Sequence, residues 1–256
     1  MFTIPRKKHF LNIEEFTSLC EREDVTLYIH CSPHNPTGKV WTKDELLEIK
    51  KICADNNVYL ISDEIHMDFV RPKEDFVSVA SIIEDNDLVL VTTGLGKSFN
   101  LASIPHSYFI TKDRTITSDI TTAMGSRYNV NTASSLALAA IEAAYTECGE
   151  WIDQLNEHVE GNFQLISSYI DEHLSEYLSF DVPKATYLGW ISFEKSGLDA
   201  DTVHKALVEV GGIAVSPGKL YLDAENKHFR FNVASSRTRI EDGLERIRKT
   251  FEHLGK

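Results

Sequence analysis

Short apolar runs and periodic apolar positions divide the first half of the chain into alternating strands and helices. The segment after Thr42 opens with a capping box completed by Glu45 and then carries apolar residues at helical spacing, which predicts a helix. A strand, a helix and a second strand within about 35 residues are typical of a parallel crossover. The predicted strands of this half cover residues 26–31, 58–63, 88–91 and 107–111.

The second half has a different pattern. An alanine-rich stretch at 133–144 predicts a buried helix, and an apolar stripe from Trp151 to Leu178 predicts a long amphipathic one. Strands at 186–193 and 229–233 and helices at 199–210 and after Thr238, with Glu241 completing a capping box, then form an α+β pattern. We therefore expect an α/β fold: a mostly parallel sheet with flanking helices in residues 1–148, and a connecting helix with a small C-terminal α+β domain in residues 149–256.

Composition excludes several classes of function. The 256 residues are 42% hydrophobic and 25% charged, as in a globular protein, and the net charge of −13 argues against a nucleic-acid partner. No apolar stretch is long enough to span a bilayer, and the N-terminal residues lack the apolar core of a signal peptide. The four cysteines are scattered, which favours a reducing cytoplasm.

Three loops follow the predicted parallel strands, at residues 32–38, 63–68 and 92–100. Ligands of open α/β sheets bind beyond the carboxyl ends of the strands, so these loops are expected to share one rim. Lys97 lies in the third loop among small and apolar residues. A lysine that loses solvation there becomes a neutral nucleophilic amine, the chemistry of a Schiff-base lysine. The alternative is an exposed loop lysine.

Asp63 ends its strand and is followed by Glu64, Ile65 and His66. Its carboxylate can accept a hydrogen bond from a protonated heterocyclic nitrogen, or it can cap the next turn. A metal site is a further alternative, because in an extended chain Glu64, His66 and Asp68 would share one side.

Two polar residues complete the candidate set. Asn35 stands in a turn rich in proline, where its amide can donate to an oxygen anion, although an ordinary Asn-Pro turn is also common. Arg230 lies inside a predicted strand, where its guanidinium can pair with a substrate carboxylate in a bidentate manner. The alternative is an arginine that faces water from an edge strand.

Four motifs in fixed order resemble the pyridoxal-phosphate-dependent class I/II aminotransferase superfamily, of fold type I. They read Asn-Pro-Thr-Gly from Asn35, Asp-Glu-Ile-His from Asp63, Gly-Lys-Ser-Phe-Asn around Lys97 and Arg-Phe-Asn from Arg230. Three further motifs are similar to the cystathionine β-lyase or C–S lyase branch: Ser-Pro-His-Asn-Pro from Ser32 to Pro36, Thr-Tyr-Leu from Thr186 with Trp190, and Gly-Glu-Trp ending at Trp151.

The resemblance implies pyridoxal 5′-phosphate (PLP) as the cofactor and a role for each residue. Lys97 would form the Schiff base and move the proton at the substrate Cα. Asp63 would keep the pyridinium nitrogen protonated, Asn35 and His66 would lie near the ring 3-oxygen, and Arg230 would hold the substrate α-carboxylate. The expected reaction is β-elimination from a sulfur amino acid, giving pyruvate, ammonia and a thiol, in a cytoplasmic homodimer.

Three departures from the family pattern keep alternatives open. Gly96 stands where a serine usually precedes the lysine, Ser103 stands where glycine is usual, and no counterpart of the upstream phosphate-binding loop precedes Lys97. We therefore expect a truncated form with weak or absent PLP retention. An aminotransferase of the same superfamily and a catalytically inactive remnant remain as alternatives.

Overall fold

A computed structural model describes residues 11–104, 106–130, 134–221 and 226–255. The chain divides into two units. The N-terminal unit comprises residues 12–34 and 40–155, and the described part of the C-terminal unit comprises Leu11, Asn35–Lys39 and residues from 156 onward. The assignment of a large and a small domain that divide at residue 148 stays a prediction.

The N-terminal unit contains a mixed four-stranded sheet in the order β1-β2-β3-β4. The first three strands are parallel and β4 is antiparallel to β3, so the expected crossover between β1 and β2 is confirmed. The strands are β1 (Leu27–Cys31), β2 (Tyr59–Asp63), β3 (Val89–Thr93) and β4 (Tyr108–Ile110), and the helices are α1 (Ile13–Cys20), α2 (Lys43–Asp55), α3 (Arg114–Thr122) and α4 (Ser135–Glu147).

Helix α2 begins where its sequence predicts. Thr42 accepts from the Glu45 amide, and the Glu45 side chain accepts from the Thr42 amide, so the capping box is complete. Leu46, Ile49 and Cys53 then form the buried face of the helix. Their burial supplies the apolar contact that fixes α2 in this unit.

Helix α4 differs from its prediction. Its alanine-rich sequence predicts a buried helix, yet only Ala137 and Ala144 are buried, while Leu136 is 65% and Leu138 is 56% exposed. An alanine-rich helix can be buried, but its small side chains do not by themselves require another element to pack over it. The expectation of burial was therefore wrong.

The C-terminal unit has an antiparallel sheet in the order β5-β6-β8-β7. Helix α5 (Gly149–His173) supplies its first residues to the N-terminal unit and the remainder to the C-terminal unit. The last helix begins after Ser236, so the capping box predicted from Thr238 and Glu241 was wrong. The elements of this unit are β5 (Ser179–Phe180), β6 (Leu188–Ser192), α6 (Ala200–Glu209), β7 (Ser216–Pro217), β8 (His228–Asn232) and α7 (Arg237–Leu254).

The core of the C-terminal unit lies between its sheet and its helices. Val159, Phe163, Ile166 and Ile170 of α5 are buried, as the amphipathic stripe predicts. The side chains buried on the other elements are Leu188 and Ile191, Val203 and Leu207, Phe229 and Phe231, and Ile240, Leu244, Ile247 and Phe251. Within the described ranges, no helix is long and apolar enough to cross a membrane.

Candidate functional site

The loops that follow β1, β2 and β3 begin side by side in the N-terminal unit. The Ser32 amide donates to the Asp63 carbonyl at 2.9 Å, and the Glu64 amide donates to the Thr92 carbonyl at 2.9 Å. These bonds extend the parallel ladder one residue beyond the strands. The backbone at Asp63 and the start of the Lys97 loop therefore lie at the same edge of the sheet, where ligands of open α/β sheets bind.

Asp63 is partly exposed at the carboxyl end of β2. Its Oδ1 accepts a hydrogen bond from the Ile65 amide at 3.1 Å, which fixes the carboxylate at the start of the turn. Asp63 Oδ1 thus caps the following turn, which was one of the two roles expected for this carboxylate. An ionised carboxylate has about four lone-pair sites, so Asp63 can still accept a bond from a ligand.

The segment after Asp63 is a turn and not an extended chain. The Met67 amide donates to the Glu64 carbonyl at 2.9 Å, and the Phe69 amide donates to the His66 carbonyl at 3.0 Å. The alternation needed to place Glu64, His66 and Asp68 on one side is absent there. In the part of the chain that the structure describes, no group of three His, Cys, Asp or Glu residues could hold a metal ion.

Glu64 is fully buried and has a structural set of partners. Its carboxylate accepts from Ser62 Oγ at 3.0 Å, Ser78 Oγ at 2.6 Å and the Val79 amide at 2.8 Å. Burial raises the pKa of Glu64, because removal from water disfavours the charged form, and the three hydrogen bonds oppose that rise. Glu64 therefore ties the turn after β2 to the segment at 78–79. Its neighbour His66 is also buried, with its ring 6.3 Å from that of Phe69.

Lys97 projects from a turn that follows β3. The Phe99 amide donates to the Leu95 carbonyl at 3.0 Å, and both Leu95 and Ser98 are fully buried. Lys97 itself is exposed in this chain. The expected loss of solvation is therefore not found, because the turn directs its apolar and small neighbours inward and the lysine outward. Its role as a Schiff-base lysine stays a prediction.

Three side chains hold the turn that carries Lys97. Trp151 Nε1 donates to the Ser98 carbonyl at 3.1 Å, and Ser98 Oγ donates to Asp68 Oδ2. On the other flank, the Leu95 amide donates to His106 Nε2 at 2.8 Å. The backbone on both sides of the lysine is thus fixed by side chains from other parts of the N-terminal unit.

Asn35 belongs to the C-terminal unit, in a loop that packs against residues 183–185. Gly38 of this loop has φ +68°, and a Cβ at this position would lie 2.3 Å from Pro183 Cβ and 2.7 Å from the Ala185 carbonyl oxygen. Only glycine combines this backbone conformation with so close an approach. The loop that carries Asn35 therefore has a fixed anchor.

Arg230 lies on an internal strand of the C-terminal sheet. It pairs with Trp190 of β6 on one side and with Ser216 of β7 on the other. The alternative of an arginine that faces water from an edge strand was wrong, since β8 has a neighbour on each side. Arg230 is partly buried, and its Nη1 donates to Asn35 Oδ1 at 3.0 Å.

An aromatic ring lies against the Arg230 guanidinium. Its Cζ lies 4.7 Å from the ring centroid of Tyr221, a cation–π distance. Trp190 meets the Tyr221 ring edge-on with centroids 5.6 Å apart. Burial raises the pKa of Tyr187, and the positive charge of Arg230 opposes that rise. Tyr221 was not found from the sequence, because its turn lies nine residues from Arg230 and carries no signal of the contact.

The comparisons decide which family these residues belong to. The family model described as aminotransferase class I and II matches residues 3–247. The chain belongs to this family. It is 31% identical over 235 residues to protein MalY of Escherichia coli, covering 92% of this chain and 60% of that protein. It is 29% identical over 239 residues to cystathionine beta-lyase PatB of Bacillus subtilis, covering 93% and 61% respectively.

Solved structures of PLP-containing proteins have the same fold. Cystalysin from Treponema denticola, which contains a PLP cofactor, superposes with a TM-score of 0.90 at 28% identity, over 96% of this chain and 62% of cystalysin. The PLP-bound C–S lyase from Staphylococcus hominis gives 0.86 at 27% identity, over 94% and 61%. The chain thus spans about three fifths of the length of these relatives.

Proposed function

We propose that this chain supplies the Schiff-base lysine and the substrate-carboxylate site of a PLP-dependent C–S β-lyase. The observation that carries the proposal is the hydrogen bond between Arg230 and Asn35, which are 195 residues apart in sequence. It unites a carboxylate-binding cation with the amide that the family resemblance assigns to the cofactor. The similarity to a protein named cystathionine beta-lyase and to a C–S lyase favours elimination as the reaction.

Three of the residues present have chemistry that suits the ring and the aldehyde of PLP. Lys97 offers an accessible amine, and Asp63 offers a carboxylate that one backbone amide already orients. Asn35 Oδ1 accepts from Arg230, so the group that the amide would offer to an oxygen anion is its Nδ2 donor. PLP, when bound, supplies an electron sink for the electron pair left at the substrate Cα.

Each side chain then has a defined task. The Arg230 guanidinium pairs with the substrate α-carboxylate and orients the Cα–H bond. Lys97 would remove the Cα proton, the thiolate would leave Cβ with the electron pair of the C–S bond, and the proton held by Lys97 would then pass to the thiolate. Asp63 would keep the ring nitrogen of PLP protonated, and water would convert the released aminoacrylate to pyruvate and ammonia.

A labelling experiment tests the lysine first. The purified chain is incubated with excess PLP, reduced with borohydride and mapped by mass spectrometry, with Lys97→Ala and Lys112→Ala as a matched pair. We expect one dominant pyridoxyl group on the Lys97 peptide, lost in Lys97→Ala and kept in Lys112→Ala. Equal labelling of many lysines would contradict the proposal.

The reaction is tested with L-cystathionine as substrate. Release of pyruvate and a thiol in equal amounts supports the lyase, and transfer of the amino group to a 2-oxo acid supports an aminotransferase instead. The second outcome is a real alternative because the chain is also 29% identical over 227 residues to an aspartate aminotransferase of Bacillus. If the protein is labelled at Lys97 but forms neither product, the chain is an inactive remnant.

A further inference from the structure

The loop that carries Lys97 is closed at its base by a histidine. Strands β3 and β4 pair as far as Thr93 and Tyr108, and the chain between them contains the lysine. Just beyond this pair, a Cβ on Gly94 would lie 3.2 Å from the His106 carbonyl oxygen and 3.8 Å from a ring carbon of His106. The two ends of the loop therefore touch at Gly94 and His106.

The partners of the His106 ring define its tautomer. Nδ1 lies 2.6 Å from the Ile104 carbonyl oxygen, and a carbonyl can only accept, so Nδ1 carries the proton. Nε2 is then the acceptor for the Leu95 amide at 2.8 Å. One neutral imidazole thus joins the two ends of the loop by accepting from one and donating to the other.

We propose that His106 is a positioning residue for Lys97. Leu95, whose amide it holds, is fully buried and precedes the lysine by two residues. The Leu95 carbonyl accepts from Phe99, so the same residue forms the turn from which Lys97 projects. Loss of the His106 acceptor leaves a buried amide without its partner, and the turn gains alternative conformations. The proposal deepens the proposed function and rests on it only in assigning chemistry to Lys97.

Two substitutions at His106 distinguish the effect of losing the hydrogen-bond acceptor from the effect of changing the side-chain volume. His106→Gln can place Oε1 near the position of Nε2 and so restore an acceptor, whereas His106→Leu keeps apolar volume and has none. His253→Leu, at an exposed position of α7, controls for loss of a histidine elsewhere. Circular dichroism and thermal unfolding establish that each variant is folded.

The first readout is hydrogen exchange of the Leu95 amide, followed by NMR on ¹⁵N-leucine-labelled protein. We expect exchange about tenfold faster in His106→Leu, as for loss of one hydrogen bond, with wild-type rates in His106→Gln and His253→Leu. Unchanged exchange in His106→Leu would overturn the proposal. So would equal acceleration in the glutamine and leucine variants.

The ring itself gives a measurement that needs no variant. In ¹⁵N-histidine-labelled wild type, we expect the His106 ring to show a protonated Nδ1 and an unprotonated Nε2. A ring protonated at Nε2 could not accept from Leu95, and this result would overturn the proposal even if His106→Leu failed to fold.

The final readout links the turn to the amine. The rate of PLP labelling at Lys97, trapped by borohydride, is expected to fall on the order of tenfold in His106→Leu and to recover in His106→Gln. An unchanged rate in a variant with faster Leu95 exchange would overturn the positioning role. If wild type is not labelled at Lys97, the proposed function fails, and Leu95 exchange and the ring tautomer still decide whether His106 holds the turn.

Discussion

The guanidinium of Arg230 donates to the side-chain oxygen of Asn35 at 3.0 Å. Arg230 is held by an internal strand of the C-terminal sheet, and Asn35 stands in a loop whose Gly38 packs against Pro183 and Ala185. Both partners are thus fixed by backbone that other elements support. A hydrogen bond between two groups fixed in this way contributes to stability and also orients the cation for a carboxylate.

We expect Asn35→Ala and Arg230→Met to be coupled. The first removes the acceptor and the second removes the donor, so the double variant should lose less free energy of unfolding than the two single losses added together, by about 0.5–1.5 kcal/mol. Urea unfolding of the four proteins of this cycle provides the measurement. A cycle of Asn35→Ala with Arg237→Met is the control, because Arg237 donates to the Gly161 carbonyl instead. Additive losses in the first cycle would count against the contact.

The ring of Tyr221 is expected to hold the Arg230 guanidinium through its face. Tyr221→Leu should weaken binding of an amino-acid carboxylate by about 0.5–2 kcal/mol, the range of a cation–π contact, while Tyr221→Phe should retain affinity. Calorimetry with an α-amino acid measures both. Tyr169→Leu, which removes a hydroxyl that donates to Glu245, is the matched control in the same unit. Equal losses in the phenylalanine and leucine variants would show that the hydroxyl matters and the ring face does not.

Local sequence signals were sufficient where the determining contacts are local. The Thr42 and Glu45 capping box predicted the start of α2, and both of its hydrogen bonds are present. The three parallel strands were predicted by their apolar runs. The run is buried almost throughout in β3, as expected for a strand covered on both faces, whereas Leu27 and Ile29 of β1 are exposed. The expectation that the loops after these strands share one rim followed from the parallel direction of the strands.

Features that depend on distant partners could not be predicted. The internal position of Arg230 depends on β7 pairing with β8, and no pattern within the strand records that pairing. The exposure of Lys97 depends on which way the turn directs Leu95 and Ser98. His106 has no motif of its own, and only the register of β3 and β4 brings it to the Leu95 amide.

Gly38→Ala is expected to destabilise the C-terminal unit by roughly 3 kcal/mol or more. The new methyl group would meet Pro183 and Ala185 inside contact distance, and φ +68° adds backbone strain. Gly197→Ala is the matched control, because Gly197 has the same φ with no heavy atom within 4 Å of a Cβ. Its cost should be only about 1–2 kcal/mol, from conformation alone. If urea unfolding gave the same loss of stability for Gly38→Ala and Gly197→Ala, the close contact between residue 38 and Pro183 would not be what excludes a side chain.

Glu64 should make the stability of the protein fall as the pH rises. Burial raises its pKa in the native state above the unfolded value of about 4.3, so between these two values the native state binds more protons. The free energy of unfolding then decreases with pH across that window, by at most about 1.4 kcal/mol per pH unit. Glu64→Gln cannot ionise and should lack this slope.

The slope and not the absolute stability is therefore the quantity to measure. Both oxygens of the Glu64 carboxylate accept hydrogen bonds, from Ser62, Ser78 and the Val79 amide, and the amide nitrogen of glutamine cannot accept. Glu64→Gln therefore loses some stability by an amount that does not depend on pH. Urea unfolding at several pH values should show the stability of Glu64→Gln rising relative to wild type as pH increases. Asp199→Asn provides a control of opposite sign, because the hydrogen bond from Thr202 lowers the pKa of Asp199. That variant should lose stability relative to wild type as pH increases. A Glu64→Gln slope of the same sign as that of Asp199→Asn would show that burial does not dominate the titration of Glu64.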